Sequence, residues 1–293
     1  MRIETLPASD AVLTAIGRKA DLYLNQFDSP AELARYARDN SNPKAQKYFL
    51  DQQRKSWSGN ETTDSACAKA ESGDLSLVSN SDRLLDRLEK YSFETQRTFW
   101  LNDVAGALPN VQAHIAGHPL TMRRRSRDAS ASAPIAIIVD LTTSAGIEPL
   151  LIETRGAAIL SLVRLLTSRR PVELWAGAML GAGTREANAA LMFAKIDTTP
   201  LDLSTAAFTL TSPAFPRMLC YSIGFGHGST GAWPFNAIEY ARTHTKDIVA
   251  PAFTHVTETL CIPPLNIHDD FSDGGESWVK SQLDIIYPER ISA

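Results

Sequence analysis

Ile135-Ala136-Ile137-Ile138-Val139-Asp140 is the stretch whose reading decides the fold. An unbroken apolar run of this length, rich in β-branched residues, suits a strand covered on both faces, and such strands belong to the middle of parallel sheets. Leu141-Thr142-Thr143-Ser144-Ala145-Gly146 follows as a small polar turn. A long helix is then predicted from about Ile147, with Pro149 in its first turn. Ile147, Leu151, Ala158, Leu162 and Leu165 recur at helical spacing, and Ser168-Arg169-Arg170-Pro171 ends the helix. Val172-Glu173-Leu174-Trp175-Ala176 starts a second strand. A strand–helix–strand unit of this kind is a right-handed crossover, so the sheet is expected to be parallel.

Downstream, Ala189 to Ile196 reads as a third strand and a helix begins near Leu203. Another short strand is placed at Glu258 to Ile262, stopped by Pro263-Pro264, and a last amphipathic helix runs from about Glu276 to Ile285. Upstream, the chain reads as helices joined by polar turns. Val12, Leu13, Ile16, Ala20 and Tyr23 are spaced as one helix face. Ser29-Pro30 opens a second helix through Leu33 and Tyr36, with proline at its first position. Ser81 is predicted to cap a helix carrying Leu84, Leu85 and Leu88. Arg127 to Pro134 is rich in alanine and serine and reads as a connector. The expected organisation is therefore a helical N-terminal region over 1–128 and an α/β domain over 129–293 with an acidic C-terminal segment.

Composition narrows the function classes. The 293 residues are 44% hydrophobic and 21% charged, as in ordinary globular proteins. Arg2, Glu4, Ser9 and Asp10 interrupt the start, so no apolar signal sequence forms. No apolar run approaches the roughly 20 residues that span a bilayer, so no membrane partner is expected. Cys67, Cys220 and Cys261 show neither disulfide pairing nor metal-binding spacing, which suits a reducing cytoplasm. A net charge of −4 argues against coating nucleic acid by charge alone. The basic excess is local, in Met122-Arg123-Arg124-Arg125-Ser126-Arg127, and the acidic excess gathers in His268-Asp269-Asp270-Phe271-Ser272-Asp273-Gly274-Gly275-Glu276.

The sharpest chemical signal is Asp140-Leu141-Thr142-Thr143-Ser144 at the end of the first strand. Ligands of open α/β sheets bind beyond the carboxyl ends of the strands. One carboxylate followed at +2 and +4 by hydroxyls suits a hard cation such as Mg²⁺. The pattern resembles the metal-ion-dependent adhesion site of von Willebrand A domains, Asp-x-Ser-x-Ser, with Thr142 in the middle place. That resemblance implies a von Willebrand A-like, mostly parallel central sheet flanked by helices, and a protein-binding adaptor whose metal sits at Asp140, Thr142 and Ser144. A complete site needs a later Thr and Asp, for which Thr154 and Asp197 are the nearest candidates. The same residues also serve as a plain helix cap and turn, and on that reading no cofactor is needed.

A wider resemblance spans most of the chain. It is carried by Ser56-Trp57-Ser58-Gly59, the Met-Arg-Arg-Arg segment, Val139-Asp140-Leu141, Arg155-Gly156-Ala157-Ala158, Val172-Glu173-Leu174-Trp175, and Pro263-Pro264 with Trp278-Val279. In this order the segments resemble a bacteriophage family of von Willebrand A-like proteins. Length, acidic end and mixed layout are similar to the single-stranded-DNA-binding RNA polymerase cofactors of phages that package a giant virion RNA polymerase. The resemblance implies sequence-tolerant binding of single strands and recruitment of a phage RNA polymerase, in the host cytoplasm, with oligomer formation left open.

Single-strand binding takes a cationic track and exposed rings on which bases stack. Arg123, Arg124, Arg125 and Arg127 supply the track. The ring candidates are Trp57, in a small polar turn, and the Tyr221-to-Phe235 stretch, expected as a mobile loop in which glycines interleave with Phe225, His227 and Trp233. Trp100 and Trp175 lie in apolar surroundings and are expected in the core, and Trp278 is expected to dock the last helix. The glycine-rich stretch lacks the order of a phosphate loop. His114 and His118 have no neighbouring glutamate of the kind zinc peptidases need. No nucleophile elbow appears. The expectation is a binding protein, not an enzyme.

Overall fold

The computed structural model describes residues 1–6, 22–40, 58–89, 99–126, 134–143, 146–180, 189–227, 246–247, 249, 252–253, 255 and 258–287. Among them, nine strands and eight α-helices form. The strands are β1 (Arg2–Leu6), β2 (Leu22–Phe27), β3 (Phe99–Asp103), β4 (Leu108–Pro109), β5 (Met122–Ser126), β6 (Ile135–Asp140), β7 (Val172–Leu180), β8 (Ala189–Ile196) and β9 (Thr259–Ile262). The helices are α1 (Pro30–Asp39), α2 (Thr63–Ser72), α3 (Ser79–Glu89), α4 (Val111–Ile115), α5 (Pro149–Thr167), α6 (Leu203–Thr211), α7 (Tyr221–Gly226) and α8 (Glu276–Ile286). Phe215–Cys220 makes a π-helical turn leading into α7. No described helix is long and apolar enough to cross a membrane.

All six residues of β6 are buried. Their alternation explains why the whole run is apolar. Ile135, Ile137 and Val139 enter the larger hydrophobic core, whereas Ile138 enters a second core with Leu24, Trp175 and Phe193 on the other face. β6 pairs in parallel with β7 on one side and β9 on the other. The mixed α/β architecture follows from that double cover.

The six-stranded sheet has the order β1-β2-β8-β7-β6-β9. Three of its five pairings are parallel, but β8 runs antiparallel to β7, and β1 antiparallel to β2. The parallel expectation thus holds across the β6–α5–β7 crossover and fails at β8. The N-terminal region also differs from its reading. Tyr23, expected on a helix face, lies in β2 and pairs with Ala190 of β8, and residues 12–20 lie outside the described residues. Two strands of the large sheet therefore come from before residue 28. Helical spacing of apolar residues is a weak guide where a strand begins inside the window.

Several local readings match closely. Ser29 caps α1, its hydroxyl accepting from Glu32 N at 3.1 Å, with Pro30 at the first position. The bounds of β8 and the start of α6 coincide with the sequence reading. Trp175 is buried against Phe253, and Trp278 packs on the core beside Phe271. Ser81 is the exception. α3 starts two residues earlier, and the Ser81 hydroxyl is buried 3.0 Å from that of Ser161 on α5, so it joins two helices instead of capping one.

α5 and α6 approach closely because residue 156 has no side chain. A Cβ there would stand 2.2 Å from the Leu210 carbonyl oxygen and 2.5 Å from Thr211 Cα, both backbone atoms that cannot swing away. Gly156→Ala is therefore expected to lower stability by about 2–3 kcal/mol in urea unfolding, at the upper end of overpacking costs. An unchanged midpoint would contradict the contact.

Candidate functional site

Two places gather polar residues: the buried crest above β6 and the exposed three-stranded sheet.

At the crest, Asp140 ends β6 entirely buried. Its Oδ1 accepts from Thr142 N at 2.9 Å, while Oδ2 is buried with no hydrogen-bond partner among the described residues. The Thr142 hydroxyl donates to Met179 O at 3.1 Å and accepts from Met179 N at 2.8 Å. That fastens the turn to β7 and uses the proton and one of the two lone pairs of the hydroxyl nominated as a cation ligand. Thr143 Oγ1 is likewise buried without a partner among the described residues, and its carbonyl accepts from the Tyr221 hydroxyl at 3.1 Å. Arg155 reaches from α5 and donates through Nη2 to Asp140 O at 3.0 Å and Pro263 O at 2.6 Å, tying the ends of β6 and β9 together. Arg217, wholly buried, donates through Nη2 to Ile147 O at 2.8 Å.

The electrostatics follow from burial. Desolvation raises Asp140 to about 6 against the lowering effects of its Thr142 hydrogen bonds and of Arg155. It lowers Arg217 to about 10, and raises Tyr221 to about 12 and the Cys220 thiol as well. Ser144 lies outside the described residues. Of the two remaining cation-ligand candidates, Asp197 lies away from this turn. Thr154 bonds back to Leu150 O within α5. Asp197 follows β8, whose antiparallel course puts it beyond Ile196, opposite Leu174, near the far end of β7 from Gly177, the partner of Asp140.

The second place is the sheet of order β3-β5-β4, none of whose described side chains belongs to either hydrophobic core. Arg123, Arg124 and Arg125, read from sequence beside a connector, are in fact consecutive residues of β5. Arg123 and Arg124 are exposed. The ladder pairs Arg123 with Asn102 and Arg125 with Trp100, so positions 123, 125, 102 and 100 belong to one face and 124 to the other. Asp103 takes Arg124 Nε at 3.1 Å, while its Oδ1 accepts from Val104 N at 2.7 Å. The side chains of Trp100 and Arg125, and all of Arg127, Trp57 and Trp233, lie outside the described residues.

His227 and Phe225 are not in that sheet. The Tyr221–Gly226 segment, expected as a loop, is α7, and it contains Phe225. His227 follows it with Nε2 3.0 Å from Asn25 Oδ1 and its ring stacked on Tyr23 at 4.7 Å. Burial lowers its pKa. It fastens the end of α7 to β2. The acidic segment is equally structural in part: Asp273 accepts from Gly275 N and Ser277 N, both at 2.8 Å, and so caps α8.

Sequence reasoning missed Arg155 and Arg217 as organisers of the crest. For Arg217 the signal was present, since it is a lone cation inside the run Phe215-Pro216-Arg217-Met218-Leu219, and a buried cation needs carbonyls or a carboxylate around it; Arg155, directly after Glu153-Thr154, is less marked. Asp103 as the partner of Arg124 carried no such signal, because only strand register brings them together.

A family model described as a domain of unknown function, DUF7192, matches residues 9–284. No curated protein and no solved structure matches the chain.

The buried carboxyl makes stability depend on pH. A folded-state pKa near 6, above the ordinary carboxyl value of about 4, means the fold holds the proton more tightly than the unfolded chain does. The protein should therefore lose stability as pH rises from about 4 through 6. Asp140→Asn keeps an acceptor for Thr142 N but cannot titrate. Relative to the parent in chelator, it should gain on the order of 2–3 kcal/mol between pH 4 and 7. Parallel pH profiles for the two proteins would refute a raised Asp140.

Proposed function

Since the chain belongs to the DUF7192 family, a domain of unknown function, its role is argued from its own surface, and we propose that it binds single-stranded DNA without sequence preference and recruits a phage RNA polymerase. The observation that carries this reading is exposed Arg123 on β5, outside both cores, with position 125 two residues on and position 100 opposite it on the same face of the ladder. Extended backbone spaces alternate residues about 6.6 Å apart, comparable to successive phosphates of a stretched strand, so one face of β5 offers a short track. A ring at position 100 would add base stacking worth about 1–3 kcal/mol. The polymerase half rests on the resemblance of the spaced segments to the phage cofactors, and the reading involves no bond-making step.

Arg123→Glu with Arg124→Glu and Arg125→Glu should abolish retention of an unstructured oligonucleotide in a low-salt gel shift while leaving the circular dichroism spectrum unchanged. Retention equal to the parent's would remove β5 from the binding surface.

One observation favours a second reading, a von Willebrand A-like adaptor holding Mg²⁺ at Asp140. Asp140 Oδ2 and Thr143 Oγ1, without hydrogen-bond partners among the described residues, are hard oxygens in a buried setting. The fit is incomplete, because Thr142 is engaged by β7 and no group of three or more His, Cys, Asp or Glu suited to a metal occurs among the described residues. Under this reading Mg²⁺ or Mn²⁺ raises the melting temperature of the parent and not of Asp140→Ala. Equal curves with and without metal would dispose of it.

A further inference from the structure

The three-stranded sheet exposes more than cations. Val104 (72% exposed), Leu108 (50%), Val111 (60%) and Ile115 (80%) stand out to solvent within twelve consecutive residues. Val111 and Ile115 are four apart on α4 and share one side of it. No residue of α4 is buried, so the helix turns its apolar pair away from the protein's own cores. Leu108 sits opposite Arg123 in the β4–β5 ladder, which sets a guanidinium beside the apolar ridge. Apolar patches of this kind, edged by cations, mark surfaces that another molecule covers.

The chain carries a surface of complementary character. In the turn from Asn266 to Asp270, Ile267 is 57% exposed and is followed by Asp269 and Asp270. The turn is held in shape: Asp269 Oδ2 accepts from Asn266 N at 2.8 Å, Asn266 O accepts from Asp269 N at 3.1 Å, and Asn266 Oδ1 accepts from His268 N at 3.1 Å. Hydrogen bonds from Ser272 hold the Asp270 carboxyl below the usual carboxylate range, so it stays ionised. A preformed acidic knob with an isoleucine at its tip loses little freedom on docking.

We propose that the ridge of Leu108, Val111 and Ile115 docks the Ile267–Asp270 knob of a second copy of this chain. Isoleucine packs on the ridge while Asp270 faces the Arg123 side. Because ridge and knob are different patches, two copies close into a symmetric pair only if each ridge meets the other's knob; otherwise the contact repeats head to tail. The inference does not depend on nucleic-acid binding, and its test is made on nuclease-treated protein.

Sedimentation velocity over a wide concentration range at low salt reads the outcome. The parent is expected to associate as concentration rises. Ile115→Glu and Ile267→Glu, both at exposed positions, should each remain monomeric. Mixing the two variants should restore a one-to-one complex, because one retains a knob and the other a ridge. Val111→Glu and Asp270→Lys repeat the test at neighbouring positions should either variant fold poorly. A parent that stays monomeric, a single variant that still associates, or a silent mixture overturns the proposal.

Discussion

A strand with no solvent face constrains everything around it. β6 presents alternate side chains to two separate cores, so it must have hydrogen-bonded neighbours on both edges and cover on both faces. Its surroundings are fastened by two buried arginines. At one end Arg170 grips Glu258 through two hydrogen bonds, 3.0 and 2.5 Å, linking the segments that lead into β7 and β9. At the other end Arg155 bridges the carbonyls of Asp140 and Pro263. Each guanidinium spans two chain segments and adds side-chain hydrogen bonds to the backbone pairing there.

This arrangement accounts for the unusual state of Asp140. The carboxyl stands where two parallel pairings end and α5 begins, in a region too apolar to favour its charge. The crest is built to hold strands together, with Thr142 spent on the β7 backbone and Tyr221 on the Thr143 carbonyl. The small sheet is built oppositely. Among its described side chains none joins either core, Arg123 and Arg124 face solvent, and Leu108 is left outside.

Much of the large sheet was legible because burial on both faces leaves a continuous apolar run, as at Ile135–Val139, and because turn residues bracket the other elements. Ser29-Pro30, Pro149 and Pro263-Pro264 all act within a few residues of where they stand. What the sequence hid was non-local. The direction of β8, the addition of β2 to its edge and the placing of Arg123–Arg125 in a ladder are decided by partners far away in the chain. The same holds for His227, which looked like part of a mobile aromatic loop and instead stacks on Tyr23, about two hundred residues earlier. Periodicity reports which face is apolar; it does not report what a polar residue will meet.

The central claim is that the cationic face of the small sheet holds unpaired strands. Its most direct test is the affinity of the intact protein for an unstructured oligonucleotide and for the matching duplex, each at two salt concentrations. The account expects tighter binding to the single strand, little change with base sequence, and a logarithmic salt slope of about −0.7 for every phosphate engaged. Preference for the duplex, or an affinity for the single strand that does not respond to salt, would contradict it.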